Sequence, residues 1–379
     1  MYQFIDRLHT LYELLQDERS KDIFQARFAI DMEWSIPNYQ RLVSLGNFKD
    51  PIFMRLLQPL EDVLRKLNGE HKKIILYGTA NTGKFFAERL QLEQIDFYGF
   101  CGQDAGSFPD GLFGKPVISP NELIAHKDEY YVVRTVTMPA AYREISEFLQ
   151  EHNYPEDHIL DKVQIRSHDE WDERQYFEFP ELYRRGTAFI DGGCADCATS
   201  RRFAQWCGGA YSSIIAFEPD PDLYAGCCKN MQDVPLPNFH LINAGLSSQE
   251  GMAVFDAKNE HSGHIIFADS DANKANTGIV EDTISIRTVA LDDIVGDQTV
   301  GFIKMDIEGA EFDALHGAKN TIVRDKPLLA ICVYHLQGDL FAIMDYLHRL
   351  LPEYRFYLRH YMTRENETVL YASVDFEVN

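Results

Sequence analysis

The stretch "AFIDGGCADCATSRRFAQW", residues 188–206, restricts the architecture of this chain more than any other. A short apolar run ends in Asp191, Gly192 and Gly193 supply a tight turn, and a helix can begin at Thr199. A second apolar run, "IIAFEPDPD", closes on Glu218, 27 residues after Asp191. Strand, small-residue turn, helix and strand predict a parallel pair with a crossover helix. Side chains at the carboxyl ends of such strands face a ligand crevice, and an acid at the tip of the second strand can accept both hydroxyls of a ribose. Further strands are expected over 187–191, 212–218, 239–243, 301–306 and 328–334. The runs "EYRFYLRHY" and "ETVLYAS", joined by the polar "MTRENE", read as a closing hairpin. Between the strands read at 239–243 and 301–306, the stretch 251–299 is rich in Asp, Asn, Ser and Gly, with strand-like islands "MAVF" and "ISIRTVAL". That stretch is expected to decorate the sheet edge near the site.

Lys304, Asp306, Glu308 and Glu311 crowd the end of one apolar run, in "FIKMDIEGAEFDALHGA". Unpaired buried charge is costly, so four charges at a strand tip point to a crevice, not to an ordinary strand end. The favourable field of a helix N-terminus accounts for Glu311 but not for Lys304 and Asp306. No basic residue occurs between Asp191 and Arg201, whereas Asp191, Asp196, Glu218, Asp220 and Asp222 gather near the strand tips. Such a rim repels a pyrophosphate and suits a cationic cofactor.

A second, earlier alternation is simpler. Residues 1–70 show apolar residues at helical spacing, Leu8, Leu11, Leu14 and Leu15 first, and read as a packing or dimerisation element. A homodimer through these helices is one expectation. Over 71–165, "KKIILYG", "NTGKFFAERLQLEQ" and "IDFYGFC" predict a small Rossmann-like domain. Its loop, Gly78 to Gly83 and Lys84, matches a phosphate loop until Phe85 takes the place of the magnesium-holding hydroxyl. It also reads Gly78-x-Ala80-x-x-Gly83, a dinucleotide turn without its middle glycine, and no ribose acid closes the next strand at Gly99. We read the loop as retained turn geometry, not an ATPase site.

The net charge of -23 and the lack of any basic block argue against a nucleic-acid partner. No apolar stretch reaches the length of a membrane span, and the N-terminus lacks the pattern of a signal peptide, so a cytoplasmic protein is expected. Seven scattered cysteines suit reduced thiols. Cys194 and Cys197 spell C-x-x-C, but no second such pair completes a zinc set, and no metal is expected. Cys227 and Cys228 read as packing.

The motifs "FIDGGCADCATS", "AFEPDPDLYAGCCKN", "NAGLSS", "LDDI" and "FIKMDIEGAEFDALHGA", with the closing "AICVYH" and "YRFYLRHY", resemble those of FkbM-type methyltransferases. The resemblance covers roughly residues 176–373 and places the domain at 175–379. It implies a class I Rossmann-like α/β sheet of seven strands, the last antiparallel, with S-adenosyl-L-methionine as cofactor and O-methylation of a hydroxyl on a saccharide or related natural product. Asp191, Gly192, Gly193, Cys194 and Asp196 correspond to the cofactor loop, Glu218 to the ribose acid, and Asn243 and Ala244 to the adenine segment. Cys197 stands where the family has a glycine. His335, Asp306, Glu308 and Lys304 are the catalytic candidates. His335 is the one with an ordinary pKa near neutrality, and His360 is a lesser candidate. A small-molecule or glycan acceptor is the expected partner, its specificity set by loops around 256–285 and the interdomain surface. The rival readings are an NAD-dependent sugar oxidoreductase using the first loop and a non-catalytic binding protein with a degenerate cofactor pocket.

Overall fold

A computed structural model describes residues 2–33, 35–48, 54–56, 58–136, 139–160, 165–167, 172–256, 265–267 and 283–375. The chain divides into two compact units, one of residues 1–49 with 171–379 and the other of residues 50–170. The helical segment expected over 1–70 is therefore shared between them.

The larger unit is built on a seven-stranded mixed sheet. From one edge it runs Phe239–Ile242, Ile214–Phe217, Ala188–Gly192, Val300–Met305 and Leu328–Cys332, all parallel. Thr368–Ser373 then lies antiparallel between Leu328–Cys332 and the edge strand Arg355–His360. Every residue of Ala188–Gly192, Ile214–Phe217, Val300–Met305 and Leu328–Cys332 is buried, which is why these strands read as unbroken apolar runs. The helix Pro221–Asp233 begins where Asp220 accepts hydrogen bonds from the amides of Asp222 (2.8 Å) and Leu223 (3.0 Å), with proline at the first turn. Chain order reverses between Ala188–Gly192 and Val300–Met305, so the crevice outside the carboxyl ends of these two strands is the switch point.

The islands "MAVF" and "ISIRTVAL" fall on the antiparallel strands Gly251–Asp256 and Thr283–Val289 of a separate four-stranded sheet, where Ala253 opposes Ile286. Most of the loop expected to set acceptor specificity, 257–264 and 268–282, lies outside the described residues.

Several apolar residues of the first two helices are covered within the chain. Leu11, Leu15, Ile23, Phe24, Ala26 and Ile30 share one core with Leu347, Phe356 and Leu358. The Leu358 amide donates to Ser20 Oγ at 2.9 Å, and the Arg359 guanidinium donates to Asp17 Oδ2 at 2.7 Å. The first helices thus shield the edge strand Arg355–His360, whose backbone would otherwise invite pairing with another chain.

In the smaller unit a parallel sheet runs Val117–Ile118, Gly99–Cys101, Lys73–Tyr77 and Tyr130–Arg134. A Cβ on Gly83 would lie 2.0 Å from the Gly78 carbonyl oxygen, so the turn requires glycine there. Phe85 and Phe86 are buried, which makes the residue at the magnesium-holding position part of the core. A cleft of about 480 Å³ opens beside this turn, lined by Thr79, Asp104, Glu144, Glu147 and Glu151 among others. Among the described residues, no helix is long and apolar enough to cross a membrane.

Replacing Phe24 by Ala is expected to cost the larger unit about 3 kcal/mol, the scale for a buried aromatic in a shared core. Denaturant unfolding measures it. A cost below about 0.5 kcal/mol would mean that the helix contributes no core.

Candidate active site

The cofactor-loop candidates meet at the carboxyl ends of Ala188–Gly192 and Ile214–Phe217. Gly193 has φ +73, and a Cβ on it would lie 1.9 Å from the Asp306 carbonyl oxygen. Only glycine lets the two strand ends approach this closely. Gly192 accepts from the Asp306 amide at 3.1 Å, which fixes the same approach. Asp191 is fully buried and accepts from Ser200 Oγ at 2.7 Å.

Lys304 lies beneath this turn. Its ammonium donates to the carbonyls of Gly192 (2.9 Å) and Gly193 (2.6 Å) and stands 3.3 Å from Asp191 Oδ1. Burial opposes the charge, but Asp191 and Asp306 outweigh it and hold the pKa above the ordinary ammonium value. At 1% exposure Lys304 supports the loop from below and presents nothing to the crevice.

Glu218 is 5% exposed. One carboxylate oxygen accepts from the Ala195 amide (2.9 Å), the other from the Asp220 amide (3.0 Å). Each oxygen keeps a further acceptor position. Burial pushes its pKa up to about 7, against the lowering effect of those two amides. Asn243 donates to the carbonyls of Glu218 (2.8 Å) and Pro219 (3.2 Å), and so shapes the backbone beside the acid, while Ala244 is buried. Asp196 is exposed and accepts from the Ala198 amide at 2.9 Å. Cys194 is turned inward, packed with Cys197 and Cys227.

The second group gathers at the ends of Val300–Met305 and Leu328–Cys332. Asp306 accepts from the hydroxyls of Tyr176 (2.6 Å) and Tyr334 (3.2 Å). Burial raises its pKa, but Lys304 and His335 more than offset this and leave it below the ordinary carboxylate value. The His335 side chain is 5% exposed, with Nδ1 2.9 Å from Glu311 Oε1. Its Nε2 lies 3.4 Å from Asp306 Oδ1 and 3.5 Å from Glu308 Oε2. Burial opposes its charge, yet Glu311, Asp306 and Glu308 together raise its pKa to about 9. The expectation of a titration near neutrality is thereby corrected, because three carboxylates surround the ring. Glu308 holds φ +56 and its side chain is 38% exposed at the opening.

Four participants, Tyr176, Tyr334, Gln175 and Glu367, were not singled out by the sequence, whereas Glu311 was. Tyr176 comes from the polar connection that opens the domain, its ring 5.2 Å from the Lys304 ammonium. The Tyr334 hydroxyl lies equally near Glu367 Oε1, at 3.2 Å, so its one proton is shared between Asp306 and Glu367, and Gln175 donates to the other oxygen of Glu367. Glu367 belongs to the hairpin turn but is drawn inward, and burial, with Asp306 adding, raises its pKa to about 7. Glu311 is fully buried, caps the Ile307 amide at 2.9 Å and orients His335. His360, by contrast, is fully buried, with Nδ1 3.1 Å from Thr368 Oγ1. Burial, with Arg27 adding, lowers its pKa to about 3 and keeps it neutral.

Replacing Lys304 by Met leaves Asp191 buried without its cation and two carbonyls without a donor. The expected loss is about 3–5 kcal/mol, read by denaturant unfolding. A variant as stable as the parent would remove the clamp from the account of the loop.

The sequence profile of the Methyltransferase FkbM domain matches residues 191–360. The 2-O-methyltransferase NoeI of Sinorhizobium fredii (strain NBRC 101917 / NGR234) is 30% identical over 188 residues, 46% of this chain and 74% of that protein. Among solved structures, methyltransferase FkbM from Methylobacillus flagellatus KT is similar at 17% identity and a TM-score of 0.44, covering 94% of this chain and 99% of that one. A SAM dependent methyltransferase from Aquifex aeolicus is similar at 12% identity and a TM-score of 0.31, covering 54% and 90%. On its sequence match to NoeI, reinforced by the domain profile over the site just described, the chain belongs to the FkbM methyltransferase family.

Proposed function

We propose that the protein transfers a methyl group from S-adenosyl-L-methionine to a hydroxyl of a saccharide or related natural product. The observation that carries this reading is Glu218, a buried carboxylate beside a glycine turn, with an acceptor position left on each oxygen. Glu218 and the exposed Asp196 beside the turn favour a cation over a phosphate, whereas Asp191 is buried against Lys304. Glu218 would hold the ribose hydroxyls, and the segment of Asn243 and Ala244 would lie along the adenine. When bound, S-adenosylmethionine supplies an electrophilic methyl group on a sulfonium centre. The relative NoeI is a 2-O-methyltransferase, which favours oxygen as the accepting atom.

The chain's own contribution is positioning and proton removal. A sugar hydroxyl is a weak nucleophile and must lose its proton as the new bond forms. We assign that proton to His335 Nε2. Glu311 holds the opposite nitrogen, fixing the ring so that Nε2 faces Asp306 and Glu308. This is the arrangement by which a carboxylate orients an imidazole base and stabilises the imidazolium that forms. Asp306 and Glu308, the more exposed members, then accept other hydroxyls of the acceptor and hold it.

Two outcomes are expected. Glu218→Ala should abolish measurable binding of S-adenosylhomocysteine in calorimetry with the fold intact. In the parent, affinity should fall about tenfold per pH unit below about 7, because the protonated carboxyl can accept fewer hydrogen bonds. Unchanged affinity in the variant would overturn the ribose assignment.

The second outcome concerns the base. Only neutral imidazole accepts a proton, so kcat/KM, which follows the free protein, should rise with pH up to about 9, where His335 titrates. His335→Ala should lower turnover by roughly a hundredfold or more, the scale of a positioned base. A pH–rate profile of the parent and of the Asp306, Glu308 and His335 variants decides between them. Near-normal turnover without His335 would transfer the role to the acids.

A further inference from the structure

Three of the seven cysteines converge directly behind the glycine turn. Cys194 and Cys197 come from the loop and Cys227 from the helix Pro221–Asp233, and none is more than 2% exposed. Their sulfur atoms all lie within 4.8 Å of one another, and the pair Cys194–Cys197 is 3.8 Å apart. The Cys227 thiol donates to the Ala195 carbonyl at 2.7 Å, a proton it would give up on binding a metal.

Cys197 adopts φ +66, a left-handed conformation that glycine takes freely and that costs a side-chain-bearing residue about 1–2 kcal/mol. A cysteine is kept in a glycine's conformation, and its sulfur meets two others. Strain of this kind persists where the surrounding structure imposes it, and it gathers at functional positions.

We propose that Cys194, Cys197 and Cys227 form a binding site for one thiophilic d10 metal ion. Two thiolates that share a zinc ion at about 2.3 Å in a tetrahedron stand about 3.8 Å apart, the separation found between Cys194 and Cys197. A disulfide would require the same sulfurs to close to about 2.05 Å, a movement that metal binding does not need. Thiolates select soft ions, so the class is Zn(II) with a fourth ligand from solvent, or Cu(I) or Cd(II), which accept three sulfurs. On binding, each thiol gives up its proton, so one divalent ion and three thiols yield one tris-thiolate complex and three protons. Affinity therefore rises with pH.

The ion would tie the loop to the helix. Cys194 and Cys197 flank Ala195, whose amide bonds Glu218, so the metal site and the ribose acid share one short piece of backbone.

The test uses the reduced full chain titrated with Cd(II), read by thiolate-to-cadmium absorption in the ultraviolet. The expected result is a signal that saturates at one equivalent and strengthens with pH. Cys227→Ser should weaken binding at least a hundredfold, whereas Cys228→Ser, one position along the same helix, should retain it. A parent with no saturating one-equivalent signal, or a Cys227→Ser variant that keeps it, overturns the proposal. Cadmium NMR of the parent needs no variant. A shift typical of three sulfur ligands supports the site, and one typical of oxygen ligands alone refutes it.

Discussion

The larger unit depends on one buried ammonium. Lys304 reaches from Val300–Met305 across to Ala188–Gly192, bonds two consecutive glycine carbonyls and stands between Asp191 and Asp306. Burying a lone cation is expensive. Here two carbonyls and two carboxylates surround it, and the low dielectric that makes isolation costly also makes these contacts strong. On the other side of the turn the amides of Gly193 (3.1 Å) and Cys194 (3.0 Å) donate to the Phe217 carbonyl, so the turn is held from both neighbouring strands. Without it Asp191 and Asp306 would repel each other where the two strand ends must meet. The glycine turn, the strand pairing and the charge pattern are thus one solution to a single electrostatic problem.

Much of this was legible in the residues. Both alternations of strand and helix follow from apolar runs, and the closing hairpin from two such runs joined by a polar turn. Asp191, Lys304 and Glu218 stood out because an acid or a lysine ending an otherwise apolar strand has no packing reason to be there. Phe85 was legible as a departure from the phosphate loop, and burial supplies its physical reason.

What was not legible came from chain segments without periodicity. Tyr176 lies in an acidic connection and Glu367 in a hairpin turn, where an aromatic or an acid carries no information about direction. Both are drawn in by partners distant in sequence, Asp306 for the tyrosine and Tyr334 for the acid. Cys227 looked like helix packing because its significance depends on which loop it meets. The N-terminal helices posed the same difficulty: an apolar stripe predicts that something covers it, not whether the cover is the same chain. Ser20 and Asp17, bonded to Leu358 and Arg359, settle the question for this edge.

The protonation of His335 was also beyond reach from residue type alone. An isolated imidazole titrates near neutrality, but this one has Glu311 on one nitrogen and Asp306 and Glu308 near the other. Each carboxylate favours the imidazolium, and together they outweigh burial. In the resting site the histidine is therefore the counter-ion that lets three acids sit side by side. That has a chemical consequence. A base with a high proton affinity is seldom free of its proton, yet it is strong when it is free, and an acceptor hydroxyl that displaces a carboxylate from Nε2 removes part of what held the proton there. On the proposed role of His335 as the base, arrival of the acceptor would lower its proton affinity when the proton must be taken, with Glu311 keeping the ring in place.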